Sequence, residues 1–123
     1  MTNNGSVRVV SMRKGQLDYG PVKGETVLRI DRVNQVLGNP HRMRYANNEQ
    51  ERTRAINAYV QDSELDWRVG GPRRAAIEAL AARVAAGERI ALACWCAPLR
   101  CHGDWLAQRV RDCAITLSAR EKE

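Results

Sequence analysis

Three cysteines and a histidine crowd the run Cys94-Trp95-Cys96-Ala97-Pro98-Leu99-Arg100-Cys101-His102-Gly103-Asp104. Thiol, imidazole and carboxylate are the side chains that attack electrophiles, move protons and bind metals, so chemistry is expected here. Three uses are open to these residues. Cys101, beside Arg100 and His102 at the expected start of a helix, can be a thiolate, because a helix N-terminus and neighbouring cations favour the anion. A thiolate so placed is a nucleophile or a redox centre. Alternatively, Cys94, Cys96, Cys101 and His102 offer three thiolates and an imidazole, a donor set that suits Zn²⁺, although Cys-x-Cys is tighter than the common Cys-x-x-Cys. In the third use Cys94 and Cys96 are small core residues, and His102 and Asp104 meet a ligand. Asp104 in a first helical turn is also an ordinary partner of the helix dipole. No cofactor is called for by the sequence, and zinc is the ion these residues could take.

The elements around this run must deliver it to one place. Ile90-Ala91-Leu92-Ala93-Cys94-Trp95-Cys96 is apolar without alternation, the pattern of a strand buried on both faces in a parallel or mixed sheet covered by helices. On such a strand Cys94 and Cys96 share one side and Trp95 points to the other, into an opposing helix layer. Pro98 ends the strand. The last helix starts near Gly103 and turns Leu106, Val110, Cys113 and Leu117 inward, which makes Cys113 a core residue. Ligands of open α/β sheets bind beyond the carboxyl ends of the strands, which is where this loop lies.

Upstream, Val7–Met12 and Thr26–Ile30 read as strands, and Gly38-Asn39-Pro40 as a shaped loop. Asn48 can cap a helix whose inner stripe holds Arg52, Ile56, Tyr59 and Val60. An arginine on that stripe either meets a fixed anion or packs its stem and sends its head to solvent. Pro72 opens a further helix with Ile77, Leu80, Ala81 and Val84 inward, and Gly87 stops it. The fold class expected is α/β, a small single-domain mixed or parallel sheet flanked by helices, whose last β-loop-α unit carries the Cys/His segment. One domain over residues 1–123 is expected, with an ordered core at about 7–117 and frayed ends.

Composition narrows the function classes. The chain has 123 residues, 44% hydrophobic and 28% charged, with no Phe; this is globular rather than disordered. Its first residues are polar and no apolar run approaches a membrane span, so a soluble, cytoplasmic protein without a membrane partner is expected. In that setting four cysteines do not make a disulfide framework. The net charge is +6, and arginine far outnumbers lysine. Guanidinium groups grip phosphate and carboxylate through a planar fork, so an anionic partner is expected.

The run Cys94-Trp95-Cys96-x-Pro98-x-x-Cys101-His102-Gly103-Asp104-x-Leu106 resembles the signature of a family found in phages and bacteria, domain of unknown function 4326. Ile30-Asp31-Arg32 is similar to that family's Ile-Gly-Arg with Asp in place of Gly. Gly38-Asn39-Pro40 matches its Gly-Asn-Pro, and Arg52 to Tyr59 its Arg-x₆-Tyr helix; His41 stands where an aromatic residue is usual. The likeness spans roughly residues 7–113. It implies a single constellation in which Arg32, Asn39, Pro40, Arg52 and Gly103 bind a ligand, while Cys101, His102 and Asp104 do chemistry.

Two arginines, an amide and a helix N-terminus make an anion-friendly pocket. The expected function is that of a small enzyme or ligand-binding domain acting on a nucleotide, nucleoside or sugar-phosphate, as a hydrolase or transferase if it is an enzyme. Two alternatives stand beside it. One is a basic, phage-type accessory protein that binds nucleic acid or a host protein, with Arg13, Lys14, Arg42, Arg44, Arg73 and Arg74 on one surface. The other is a zinc-stabilised structural domain.

Overall fold

β-branched Val7, Val9 and Val10, and then Thr26 and Val27, favour extended backbone, and two short strands form there. In the computed structural model, which describes residues 5–15, 19–43, 48–96 and 99–121, these are β1 (Ser6–Ser11) and β2 (Glu25–Arg29). Then follow α1 (Glu49–Val69), α2 (Pro72–Ala85), β3 (Arg89–Cys94) and α3 (His102–Glu121). The expectations for Pro98, for Arg44 and for the extreme chain ends fall outside the described residues.

The strands form one parallel sheet in the order β1-β3-β2. The fold is therefore the α/β class read from the sequence, and the sheet is parallel rather than mixed. Parallel neighbours need long crossovers; α1 and α2 supply the one between β2 and β3. The register sets Val7, Val9 and Ser11 of β1 level with Ile90, Leu92 and Cys94 of β3, and Thr26 and Leu28 of β2 level with Ile90 and Leu92. This face carries the main core, in which Ile90 and Leu92 meet Ile77 and Leu80 of α2 and Leu106 and Val110 of α3.

All of Ile90–Cys94 is buried, as the unbroken apolar run predicts, but not between two helix layers. The opposite face has its own small cluster of Val10, Ala91 and Ala93 with half-buried Met12, to which no helix residue contributes among the described residues. Two alanines at the centre leave room for long side chains from the flanking strands to close over them. Arg8 of β1 reaches across β3 to Glu25 of β2 through paired bonds of 2.7 Å, and the Glu25 side chain is only 1% exposed. The Arg8 guanidinium holds the Glu25 carboxyl down at about 2, against burial, with the Val22 N–H helping.

The helices start and stop where local chemistry directs. Asn48 caps α1 by accepting from the Glu51 N–H, and Pro72 opens α2. The N-cap of α2, Gly71, has no side chain to offer, and Asp66 of α1 takes over the task, accepting from the N–H groups of Arg73 (3.2 Å) and Arg74 (2.7 Å). A Cβ on Gly71 would lie 2.2 Å from that carboxylate, so glycine is required by the borrowed cap. Ile77, Leu80, Ala81 and Val84 are buried as read from the sequence. Cys113 is half-buried against the core and its thiol is pushed up by desolvation, consistent with a packing role. Among the described residues no helix is long and apolar enough to cross a membrane.

Candidate functional site

Because all three strands run the same way, their carboxyl ends open on one side of the sheet. There the chain after β2 (Ile30, Asp31, Arg32), the end of β3 (Cys94, Trp95, Cys96) and the start of α3 meet the first turns of α1. A cavity of about 370 Å³ lies between them, lined by Asp31, Arg32, Asn39, Arg52, Cys94–Cys96 and Arg100–His102, with His41, Met43, Ala55 and Ile56 completing the wall. Of the site residues read from the sequence, Arg32, Asn39, Arg52, Cys94, Cys96, Cys101 and His102 are brought together here. Pro40, Gly103 and Asp104 are not on the lining.

The start of α3 explains two of those three. Cys101 is its N-cap: the Gly103 N–H donates to Cys101 Sγ at 3.3 Å and Asp104 Oδ2 accepts from the Cys101 N–H at 3.2 Å. This is a reciprocal capping box with cysteine in the place usually held by serine or threonine. Asp104 is therefore exposed and bonded back to its own helix start, on the dipole side of the two readings open to it. Gly103 is buried where α3 presses on the sheet; a Cβ there would stand 2.7 Å from Ile30 Cδ1. Pro40 borders a neighbouring groove shared with Arg32, Asn34 and Arg42.

His102 is buried, and its Nε2 lies 2.7 Å from the Ile30 carbonyl oxygen. A carbonyl only accepts, so Nε2 carries the proton and Nδ1 keeps its lone pair. Burial lowers the His102 pKa below its ordinary value, the Ile30 bond opposing, and the ring is a neutral imidazole at pH 7. Tyr59 stands edge-on to it with ring centroids 4.7 Å apart. The Tyr59 hydroxyl donates to the Leu37 carbonyl at 2.8 Å, and its own pKa is raised to about 12 by burial. Tyr59 thus holds both the imidazole and the loop that carries Asn39.

The thiols of Cys96, Cys94 and Cys101 neighbour one another in series, and the Cys96 N–H donates to Cys94 Sγ at 3.5 Å. Cys94 is pushed up to about 12, first by its bond to Cys101 and then by burial. Cys96 is raised by its bond to Cys94 and by burial, while Arg52 pulls the other way. Cys94, Cys101 and His102 each place a ligand atom within 4.8 Å of the other two, all buried, so this cluster can hold a metal ion. Three of the four donors read from the sequence form this mutual set; Cys96 is not in it, because β3 stops pairing at Cys94 and the chain bends at Trp95 and Cys96.

The same bend corrects Trp95. Beyond the last ladder bond its side chain is not bound to the pleat's alternation, and among the described residues no helix layer covers the other face. The indole is 47% exposed at the cavity rim, its N–H donating to Asp31 Oδ2 at 3.1 Å. Asp31 is also paired with Arg29 at 2.5 Å, which lowers its pKa.

The cations divide into bound and uncommitted. Arg52 is 4% exposed; it donates to the Arg100 carbonyl at 2.9 Å and has a Glu49 oxygen 3.8 Å away. Arg100 bonds to Glu49 and to Thr53 Oγ1 at 2.8 Å, tying the thiol loop to α1. Asn39 spends its amide on the Ala55 carbonyl (3.1 Å) and the His41 N–H (2.9 Å), and His41 meets Asp62 at 2.5 Å. Arg32, exposed at the mouth, makes no hydrogen bond or ion pair among the described residues. Arg73 and Arg74 are engaged inside the helix layer, against the Tyr59 and Trp67 rings at 4.2 and 4.9 Å.

Sequence reasoning missed Trp95 as a rim residue, Tyr59 as the support of His102, Asp31 as the partner of Trp95, and the tie of Arg100 to α1. The spacing of Arg52 and Tyr59, seven residues apart on one helix face, was the signal that both aim at the same place.

Fold and site together define a small three-stranded parallel α/β domain with a thiol- and arginine-lined cavity at the strand ends. The family described as Domain of unknown function (DUF4326) matches residues 10–112, and the chain belongs to it. No curated protein and no solved structure matches the chain.

Proposed function

We propose that the cavity binds a small anionic molecule of the nucleotide, nucleoside or sugar-phosphate class. The observation that carries this reading is Arg32: an uncommitted guanidinium at the mouth of a concave site, above the buried cation of Arg52. Phosphate and carboxylate match the guanidinium fork. The cavity volume of about 370 Å³ falls within the range of about 300–1,000 Å³ usual for small-molecule sites. Trp95, half-exposed with its indole N–H anchored, offers a flat face on which a base can stack. Within the cavity Cys101 and His102 are the groups in reach of a bound molecule for chemistry; Asp104 is turned away.

Thermal shift with mononucleotides, nucleosides and sugar-phosphates on chelator-treated protein tests this. A ligand at 100-fold its Kd stabilises by about 2.7 kcal/mol, a readable rise in Tm. Arg32→Ala should leave the free protein's Tm unchanged and weaken phosphorylated ligands at least tenfold. If no member of the three classes moves the Tm, the reading is wrong.

A second reading is favoured by the Cys94, Cys101 and His102 cluster: the ion it takes is Zn²⁺, which suits two thiolates and an imidazole. Such an ion would brace the end of β3 to the start of α3. Elemental analysis of protein purified without chelator tests it; well under one zinc per chain, even after incubation with the ion, would exclude it.

A further inference from the structure

We infer that the metal position is a three-ligand centre, Cys94, Cys101 and His102, with its fourth coordination position open to the arginine-lined cavity and Cys96 outside the coordination sphere. The inference rests on the zinc reading above and goes beyond it, because a braced structural site would be closed by four protein ligands.

Four observations lead to it. First, the mutually close set contains three residues and omits Cys96, although the Cys96 N–H donates to Cys94 Sγ at 3.5 Å. Tetrahedral thiolates around zinc stand about 3.8 Å apart, so the 4.8 Å limit that encloses the three donors requires only a small contraction. Second, the donors are preset. The Ile30 carbonyl holds His102 Nε2–H, leaving Nδ1 as the ligand nitrogen, the arrangement by which a carbonyl orients metal-bound imidazoles. The Gly103 N–H already donates to Cys101 Sγ at 3.3 Å and fixes where that sulfur sits. Third, all three ligands line the cavity, so the side of the ion not covered by them faces the space where Arg32 and Arg52 attract an anion. Fourth, Cys96 has a different task available: placed beside both Cys94 and Arg52, its thiol can donate to the metal-bound Cys94 sulfur from outside. The group taken at the open position is an oxygen donor, water in the resting protein and an anionic oxygen of the ligand when one is bound.

Cobalt substitution of the full chain tests this without any nucleotide. One Co²⁺ per chain, with a thiolate-to-metal charge-transfer band, is expected. Added azide or inorganic phosphate should shift the visible d–d bands, because the fourth position exchanges. Cys96→Ser should keep one equivalent and the same charge-transfer band, with affinity changed less than about tenfold. Cys101→Ser should lose at least a hundredfold in affinity, its fold checked by circular dichroism; should it not fold, the anion response of the unmodified protein decides alone. Cobalt bound with bands indifferent to both anions, or lost from Cys96→Ser as from Cys101→Ser, overturns the open position while leaving zinc binding intact. Absence of stoichiometric metal overturns both, and leaves the anion-binding reading to its own assay.

Discussion

Replacing Gly103 by alanine sets two effects of opposite sign against each other. Gly103 lies in the first turn of α3, and by helix propensity alone alanine would be better there by about 1 kcal/mol. The added Cβ, however, would stand 2.7 Å from Ile30 Cδ1, 3.2 Å from Cys101 Sγ and 3.2 Å from Val9 Cγ2. Ile30 is fully buried and its methyl has no solvent to swing into, so the helix start must lift from the sheet. Overpacking of this kind costs about 1–3 kcal/mol. The contact at 2.7 Å belongs toward the upper end, which leaves a net loss of about 1–2 kcal/mol. For a domain of this size that is a fall in Tm of roughly 3–10 °C. Urea unfolding followed by circular dichroism measures it directly. Ile30→Val removes the offending methyl at a cost of about 1 kcal/mol; added to Gly103→Ala it should cost less than the sum, the mark of a shared contact. A Gly103→Ala protein as stable as the parent, or strict additivity with Ile30→Val, would refute the claim that this glycine exists to let α3 touch the sheet.

Three further outcomes follow from single contacts. Glu25 has its carboxyl held at about 2 from an ordinary 4.5, so its contribution, about 3 kcal/mol, is present above pH 4.5 and drains away as pH falls toward 2. Glu25→Gln should flatten the stability-versus-pH curve across that window and lower stability at pH 7. Tyr59→Phe removes the bond to the buried Leu37 carbonyl and should cost about 1–3 kcal/mol in urea unfolding. Asp66→Ala strips the N–H partners from the start of α2 and should cost about 1 kcal/mol; Asp66→Asn, which keeps an acceptor oxygen, should recover part of it.

Much of the fold was legible because it is written in local pattern. Asn48 caps α1 and Pro72 opens α2 for reasons confined to a few residues, and the inward stripe of α2 was readable from its spacing. The unbroken run from Ile90 to Cys96 marked a strand buried on both faces, and its Ile90–Cys94 part is one, while Trp95 and Cys96 lie beyond the strand. The second cover could not be read, since it depends on Arg8 and Glu25, far apart in sequence, meeting over an alanine. Trp95 was misplaced for a related reason: alternation holds only while the ladder lasts, and where the ladder ends is settled by the neighbouring strands. Asp104 could be read as a chemical group or as a cap from its position, and the reciprocal bonds with Cys101 show a cap.

The sequence by itself determined which residue types gather at the end of β3, that a helix begins beside them, and that Arg52 faces inward, because spacing along one element is a matter of chain geometry. The tertiary structure alone decided that Cys94 and Cys101 approach His102 while Cys96 falls outside, and that Arg32 is left uncommitted at the rim while Arg52 is tied to the Arg100 carbonyl. Those outcomes depend on ångström-scale distances between separate elements, which are set by how α3 seats on the sheet and not by any run of letters.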